Sequence, residues 1–322
     1  MDKITVVIPC YNEEESIPFL VNELDKLRKN INKVNFEFLM IDNSSTDKTL
    51  KLLKDLNKKD KSYRFISFSR NFGKDASMLA GLKASTGDYV AIMDADLQDP
   101  PELLKEMYET IKKGEYDCVA TYRKNRKNEP FFRSLFANAF YKIINKVSNY
   151  EIVNGARDYR LMTRQMVNAV ISLEEKERFT KGIFSWVGFK TKWISFDNHE
   201  RVAGKTKLPM KSAFNYAIRG ITSFSTVPLK IASVMGLIFC LLAGIYLIYI
   251  IINHFTSNNI SPGYSSMMCV MLFGFGIVLL VLGIIGQYIA QMYTEIKNRP
   301  EYIIKESSDD NEKYFSKLFK SK

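Results

Sequence analysis

Residues 89–102 read Y-V-A-I-M-D-A-D-L-Q-D-P-P-E, and the fold turns on how this stretch is read. The first five residues are an apolar run of strand length, and residues 103–113 continue with helical character. Between them stand carboxylates at Asp94, Asp96, Asp99 and Glu102 and an amide at Gln98. Asp94 and Asp96 are two apart, so on an extended strand their side chains share a side. Mg²⁺ and Mn²⁺ prefer oxygen ligands and bridge one or two carboxylates to substrate phosphates. One reading is therefore a metal-diphosphate site at the C-terminal edge of a parallel sheet. The other is an acidic turn at the start of a helix, with Pro100 and Pro101 near its N-terminus. The stretch alone does not choose between them.

Upstream, apolar strand patterns alternate with helical ones. Residues 3–9, 36–41 and 63–69 predict strands, and 116–122 predict a fifth beyond the acidic stretch. Residues 16–30 show helical spacing in Ile17, Leu20, Val21, Leu24 and Leu27. Residues 46–56, with Ser45 or Thr46 as cap, and 74–84 predict further helices. Such alternation implies an α/β fold with a parallel sheet, whose ligands bind at the carboxyl ends of the strands. Those ends carry C-Y-N-E-E at 10–14, D-N-S-S-T-D at 42–47, R-N-F-G-K at 70–74 and the acidic stretch. Each alone is an ordinary polar turn; four in series predict one polar edge. No G-x-G-x-x-G and no G-x-x-x-x-G-K-[ST] occurs, so dinucleotide and P-loop cradles are not expected.

The chain has 322 residues, 46 Lys and Arg against 35 Asp and Glu, and a net charge of +11. Such an excess suits anionic partners, and where it lies decides which. No Asp, Glu, Lys or Arg lies between Lys230 and Glu295, and residues 229–252 and 267–290 are each long enough to span a bilayer. Lys205, Lys207, Lys211, Arg219 and Lys230 precede this stretch; Lys297, Arg299 and Lys305 follow it. The positive-inside bias predicts a cell-membrane protein with two spans and both termini cytoplasmic. A buried helical hairpin is the competing reading. Clustering beside the spans points to the lipid bilayer and to no nucleic acid. Cys10, Cys118, Cys240 and Cys269 are widely spaced, as in a reducing compartment. The chain enters a strand pattern at once, with no signal-peptide pattern.

Together, I-P-C-Y-N-E-E, D-N-S-S-T-D, R-N-F-G-K and D-A-D-L-Q-D-P-P-E resemble family 2 glycosyltransferases. With the two spans, the chain resembles their polyprenyl-phosphate type, the bactoprenol glucosyltransferase and dolichol-phosphate mannose synthase group. N-G-A-R-D-Y-R-L-M at 154–162 and R-F-T-K-G-I-F-S-W-V-G-F at 178–189 are similar to later blocks of that family, and H-E-R-V-A-G-K-T-K at 199–207 to its basic acceptor loop. Thr206-Lys207-Leu208 lacks the aromatic that often follows there, which leaves out a stacking contact.

The resemblance implies a GT-A-like, parallel-dominated sheet with flanking helices, then interfacial helices and two transmembrane helices. Its domains would be 1–207 catalytic, 208–228 an interfacial connector, 229–293 the hairpin and 294–322 a cytoplasmic tail. It implies one sugar moved from a UDP- or GDP-linked donor to polyprenyl phosphate, with inversion. Asp94, Asp96 and Gln98 would lie at Mg²⁺ or Mn²⁺, with Asp96 catalytic. Pro9, Tyr11, Asn12, Glu13, Asp42, Lys74, Asp94 and Ala95 would hold the donor nucleotide. Arg201, Lys205 and Lys207 would clamp the acceptor phosphate, with Arg201 also catalytic, or form a solvated basic surface. Asp158 is a candidate base or orienting residue, or a structural partner of Arg157 or Arg160. A hydroxyl acceptor would need a base, whereas a phosphate monoester is already anionic near neutrality. Residues 208–227 mix apolar and basic positions, as an interfacial helix or a core connector would. Gly236, Gly244, Gly276, Gly283 and Gly286 would permit close helix packing between spans or in a homo-oligomer. Q-x-x-R-W is absent, and two spans are few for a polymer channel.

Overall fold

The computed structural model describes residues 1–31, 33–123, 145, 153–196, 222–223, 225–256 and 263–309. Arg201, Lys205, Lys207 and most of the 208–228 connector lie outside the described residues.

In chain order the elements begin β1 (Asp2–Cys10), α1 (Ile17–Asn30), β2 (Val34–Asp42), α2 (Thr49–Lys59) and β3 (Tyr63–Phe68). Next come α3 (Lys74–Ala84), β4 (Tyr89–Ile92), α4 (Leu103–Ile111), β5 (Cys118–Arg123) and β6 (Ala156–Thr163). The described chain continues with α5 (Arg164–Ser172), α6 (Thr180–Trp186), β7 (Thr191–Phe196), α7 (Val227–Thr256), α8 (Tyr264–Lys297) and β8 (Ile304–Ser307). One sheet holds all eight strands in the order β7-β5-β6-β4-β1-β2-β3-β8. β3, β2, β1 and β4 run parallel, which sets their carboxyl ends on one edge. The order reverses direction at β1, between β2 and β4, where α/β sheets open a ligand crevice.

Strand alternation builds two cores. Ile4, Val6 and Ile8 of β1 face the α1 and α4 side with Leu20, Leu24, Leu104 and Met107. Val7 faces the α3 side with Met78, Leu79 and Leu82. α3 lies so close that a Cβ at Gly81 would sit 2.1 Å from Val7 Cγ1, so this position needs glycine.

Two features depart from the simple alternating reading. β5 does not follow β4 in the sheet: β6 inserts between them, antiparallel to both. Residues 294–322, read as a tail, contain a strand: β8 pairs antiparallel with the edge strand β3. Tyr302 stacks on Phe68 at 5.1 Å, and Arg64 pairs with Asp309. A short strand of mixed polarity carries little periodic signal, so its charged context hid it. The α2 cap also differs. The helix starts at Thr49, whose N–H donates to Asp47 Oδ1 at 2.9 Å, while Ser45 Oγ accepts from Asn12 N at 3.0 Å.

α7 and α8 contain stretches long and apolar enough to cross a membrane, Val227–Tyr246 and Val270–Lys297. Only 6% and 0% of those stretches is buried, unlike the core helices of a soluble domain. Tyr288 donates to the Ser225 carbonyl, and the Lys176 and Glu177 N–H groups donate to Glu295, joining the end of α8 to the sheet domain.

Candidate active site

Loops from four parallel strands meet at the crevice edge, and three of them hold a non-glycine residue in the left-handed region. These are Asn12 after β1 (φ 53°), Ser44 after β2 (φ 59°) and Leu97 after β4 (φ 55°). Left-handed backbone is costly for a side chain such as leucine, and such strain concentrates at functional edges. Burial of Leu97 in the core holds the turn. The turn carries Asp96 and Gln98 on either side of it, and Asp96 Oδ1 accepts from Gln98 N at 3.2 Å. Asn12 and Ser44 are short polar residues, which tolerate this region better. Asn12 Oδ1 accepts from Thr46 N at 2.8 Å, locking the first loop to the second.

Register brings the charged groups together. β4 and β6 pair antiparallel with Ile92 opposite Arg160, and continuing that register past the end of β4 carries Asp94 toward Asp158. Lys74, at the start of α3, puts its ammonium between them, 2.6 Å from Asp94 Oδ1 and 2.6 Å from Asp158 Oδ2. Burial works against the charge on Lys74, but Asp158 and Asp94 outweigh it and hold the ammonium above the usual lysine range. Burial likewise opposes the Asp158 charge, yet Lys74 and Lys181 hold that carboxyl well below its usual range. Asp158 Oδ1 is buried without a hydrogen-bond partner among the described residues.

A second pair braces the acidic turn from below. Arg157 donates from Nε to Asp99 Oδ1 at 2.7 Å and from an η-nitrogen to Oδ2 at 3.2 Å. Its guanidinium also lies 3.8 Å from Asp94 Oδ2. Burial pushes the Asp99 carboxyl up, against the pull of Arg157. Arg123, at the end of β5, donates to Gln98 Oε1 at 3.2 Å. Arg160 lies over the Phe184 ring at 3.8 Å and donates to the carbonyls of Arg157 and Asp158. Thus Asp158 pairs with Lys74, while Arg157 serves Asp99.

The other expected positions sit on the β1 and β2 side. Pro9, Tyr11, Asn12 and Glu13 are half-buried on the edge. Glu13 Oε2 accepts from Ser16 Oγ at 2.9 Å. Asp42 is fully buried, its oxygens accepting from Ser45 N at 3.1 Å and Ser67 Oγ at 2.7 Å. In this arrangement Asp42 shapes the second loop from beneath. Ala95 is buried under the turn between Asp94 and Asp96. Sequence reasoning gave no role to Asp99, Arg123 or Lys181; the only available signal was their position in the quoted blocks or beside a strand end.

The donor set suits a hard cation in part. Asp94 and Asp96 present half-buried carboxylates from one turn, that of Asp94 already paired with Lys74. Among the described residues no three Asp, Glu, His or Cys side chains converge on one point. An ion held here would therefore take most of its ligands from a bound substrate, as Mg²⁺ commonly does with phosphates.

Residues 5–171 match the family described as glycosyl transferase family 2, and residues 227–292 match the one described as the GtrB C-terminal hairpin. CsbB of Bacillus subtilis is 42% identical over 96% of this chain and 93% of its own length. The chain belongs to glycosyltransferase family 2. Two further relatives of this glycosyltransferase carry fuller descriptions. A prophage bactoprenol glucosyl transferase homolog of Escherichia coli is 38% identical over 94% of the chain and 98% of its own length. The bactoprenol glucosyl transferase of Shigella phage SfII is 37% identical over 96% and 99%. The glycosyltransferase has the GT-A-like mixed sheet of its family, with β6 supplying the late strand that the 154–162 block foreshadowed.

Proposed function

We propose that this glycosyltransferase moves one hexose-type sugar from a UDP- or GDP-linked donor to a polyprenyl phosphate at the cytoplasmic membrane face, with inversion and divalent-metal assistance. The observation that carries this reading is the Lys74 ammonium clamped between Asp94 and Asp158 at the crevice edge. An Asp158 carboxyl held so far below its usual range is a poor proton acceptor near neutrality. Its fit is to orient Lys74 and keep charge in place. An acceptor that is already an anion needs no base, and a phosphate monoester with a second pKa of about 6 meets that condition.

Asp94, Asp96 and Gln98 are the residues that would hold Mg²⁺ or Mn²⁺. Such an ion, when bound, offsets the charge that develops on the departing nucleoside diphosphate. Lys74 adds a positive charge beside that diphosphate. Arg157 and Arg123 keep the acidic turn in shape through Asp99 and Gln98. Pro9, Tyr11, Asn12, Glu13 and Ala95 line or support the nucleotide side, with Asp42 bracing the loop above it. Arg201, Lys205 and Lys207 are assigned to the acceptor phosphate.

The hairpin supports the membrane assignment. β8 returns the chain to the same sheet it left before α7, so two crossings would leave both flanks on one side. The basic flanks support the cytoplasm as that side. The descriptions of the two bactoprenol relatives support the acceptor class.

The test is direct. Purified protein in detergent is incubated with a panel of radiolabelled UDP- and GDP-sugars and with undecaprenyl or dolichyl phosphate. Labelled lipid that mild acid releases supports the proposal. Label appearing only in diacylglycerol or in polymer refutes it.

A further inference from the structure

A groove of about 340 Å³ opens where the end of α8 meets the loop after β3, within the usual size of small-molecule sites. Arg70 and Phe72 form one wall, Lys297, Arg299 and Glu301 another, with Lys176 at the base of α8. Lys176 is neutralised by Glu301 at 3.2 Å. That leaves Arg70, Lys297 and Arg299, none of which makes an ion pair among the described residues. Two are held in place by rings instead. The Arg70 guanidinium lies 4.0 Å from the Phe72 ring centre, and Lys297 Nζ lies 4.5 Å from that of Tyr293. Three cations lining one groove without an ion pair among the described residues, beside one neutralised pair, favour an anion.

Position narrows the anion's source. The groove is lined by the last turns of α8, where Tyr293, which lines it, and Met292 and Ile296 are exposed apolar side chains. A ligand lying along α8 would therefore need an apolar tail above and a charged head below. We infer that the groove binds the phosphodiester headgroup of an anionic glycerophospholipid, its acyl chains lying against α8. Arginine supplies paired donors for phosphate oxygens, and lysine a mobile charge. The inference goes beyond the catalytic reading, because that reading assigns none of these residues to the donor, the metal or the acceptor, although Arg70 and Phe72 share the loop that leads to Lys74.

The consequence reaches the active site through one loop. Arg70 and Lys74 are the ends of R-N-F-G-K. Between them Asn71 accepts from Asn43 and from Gly73 N, and the Phe72 N–H donates to Asn43. A headgroup bridging Arg70 to Lys297 and Arg299 would tie this loop to the membrane-facing helix and so set the domain's seating on the bilayer.

The experiment uses the full chain in detergent micelles, with lipid retention read by native mass spectrometry. Dioleoyl phosphatidylglycerol is compared with dioleoyl phosphatidylcholine, and wild type with Arg70→Gln/Arg299→Gln and with Lys305→Gln, an exposed control outside the groove. Wild type and Lys305→Gln are expected to retain phosphatidylglycerol preferentially, and the double variant to lose about tenfold or more of that preference. Unchanged tryptophan-monitored unfolding in the double variant confirms that its fold is intact. Equal retention of the two lipids by wild type overturns the inference, as does a preference that survives in the double variant. Stoichiometric displacement of phosphatidylglycerol by undecaprenyl phosphate also overturns it, making the groove an acceptor site. Displacement by inorganic phosphate overturns it in favour of a free-anion site.

Discussion

Replacing Arg157 by alanine isolates the brace beneath the acidic turn. The Asp99 side chain is 0% exposed and Arg157 19%, and the two share paired bonds of 2.7 and 3.2 Å. Truncation leaves a buried carboxylate whose nearest cation is gone. Breaking a buried pair from one side costs about 3–5 kcal/mol. For a domain of this size that lowers the melting temperature by roughly 6–20 °C. The assay is built in: Trp186 and Trp193 are the only tryptophans, and both lie in the sheet domain, so intrinsic fluorescence follows that domain and not the hairpin. Asp99→Asn in the Arg157→Ala background removes the orphaned charge and should restore part of the loss. The resulting coupling energy is expected at about 1–3 kcal/mol. An Arg157→Ala protein within about 1 kcal/mol of wild type, or strictly additive single changes, would refute the argument.

Asp96→Asn is expected to lower kcat by about a hundredfold or more while leaving membrane insertion unchanged, and chelator should abolish wild-type turnover until Mg²⁺ or Mn²⁺ is restored. Full activity in metal-free buffer would remove the metal from the mechanism. Glu37, buried on β2, contributes to the acid sensitivity of the fold. Burial opposes its charge, but bonds from Thr5 and Arg64 hold the carboxyl at about 2 against an ordinary 4.5, a difference of about 3 kcal/mol. A lowered carboxyl pKa stabilises above 4.5, and that contribution disappears as pH falls through about 2. The unfolding gap between wild type and Glu37→Gln should therefore be widest near neutrality and shrink into acid; a gap independent of pH contradicts it. Tyr302→Ala removes the ring stacked on Phe68 and should cost about 3 kcal/mol in the same fluorescence assay and expose residues beyond Asn298 to limited proteolysis. Wild-type resistance to both would mean that β8 adds nothing to the sheet.

Composition and periodicity determined much of this protein. Repeated strand and helix patterns suffice for an α/β layer because each element's apolar period is local. The predicted helix over 74–84 coincides with α3, Lys74–Ala84. The long charge-free run at 231–294 announces a helical hairpin for the same reason. The polar strand ends were legible too, since a parallel sheet puts its carboxyl ends on one edge.

What tertiary structure alone decided is which of those residues meet. Asp94 is carried toward Asp158 because β6 runs antiparallel beside β4, and a register is a property of two strands that neither strand encodes alone. The same holds for Arg157 on Asp99, for Arg123 on Gln98 and for Lys74 between two carboxylates 64 residues apart in sequence. β8 is the extreme case. Its four residues carry too little apolar pattern to declare a strand, and only the unpaired edge of β3 makes them one. Local periodicity settles what each segment becomes; long-range pairing settles which charges share an edge, and the chemistry depends on the second.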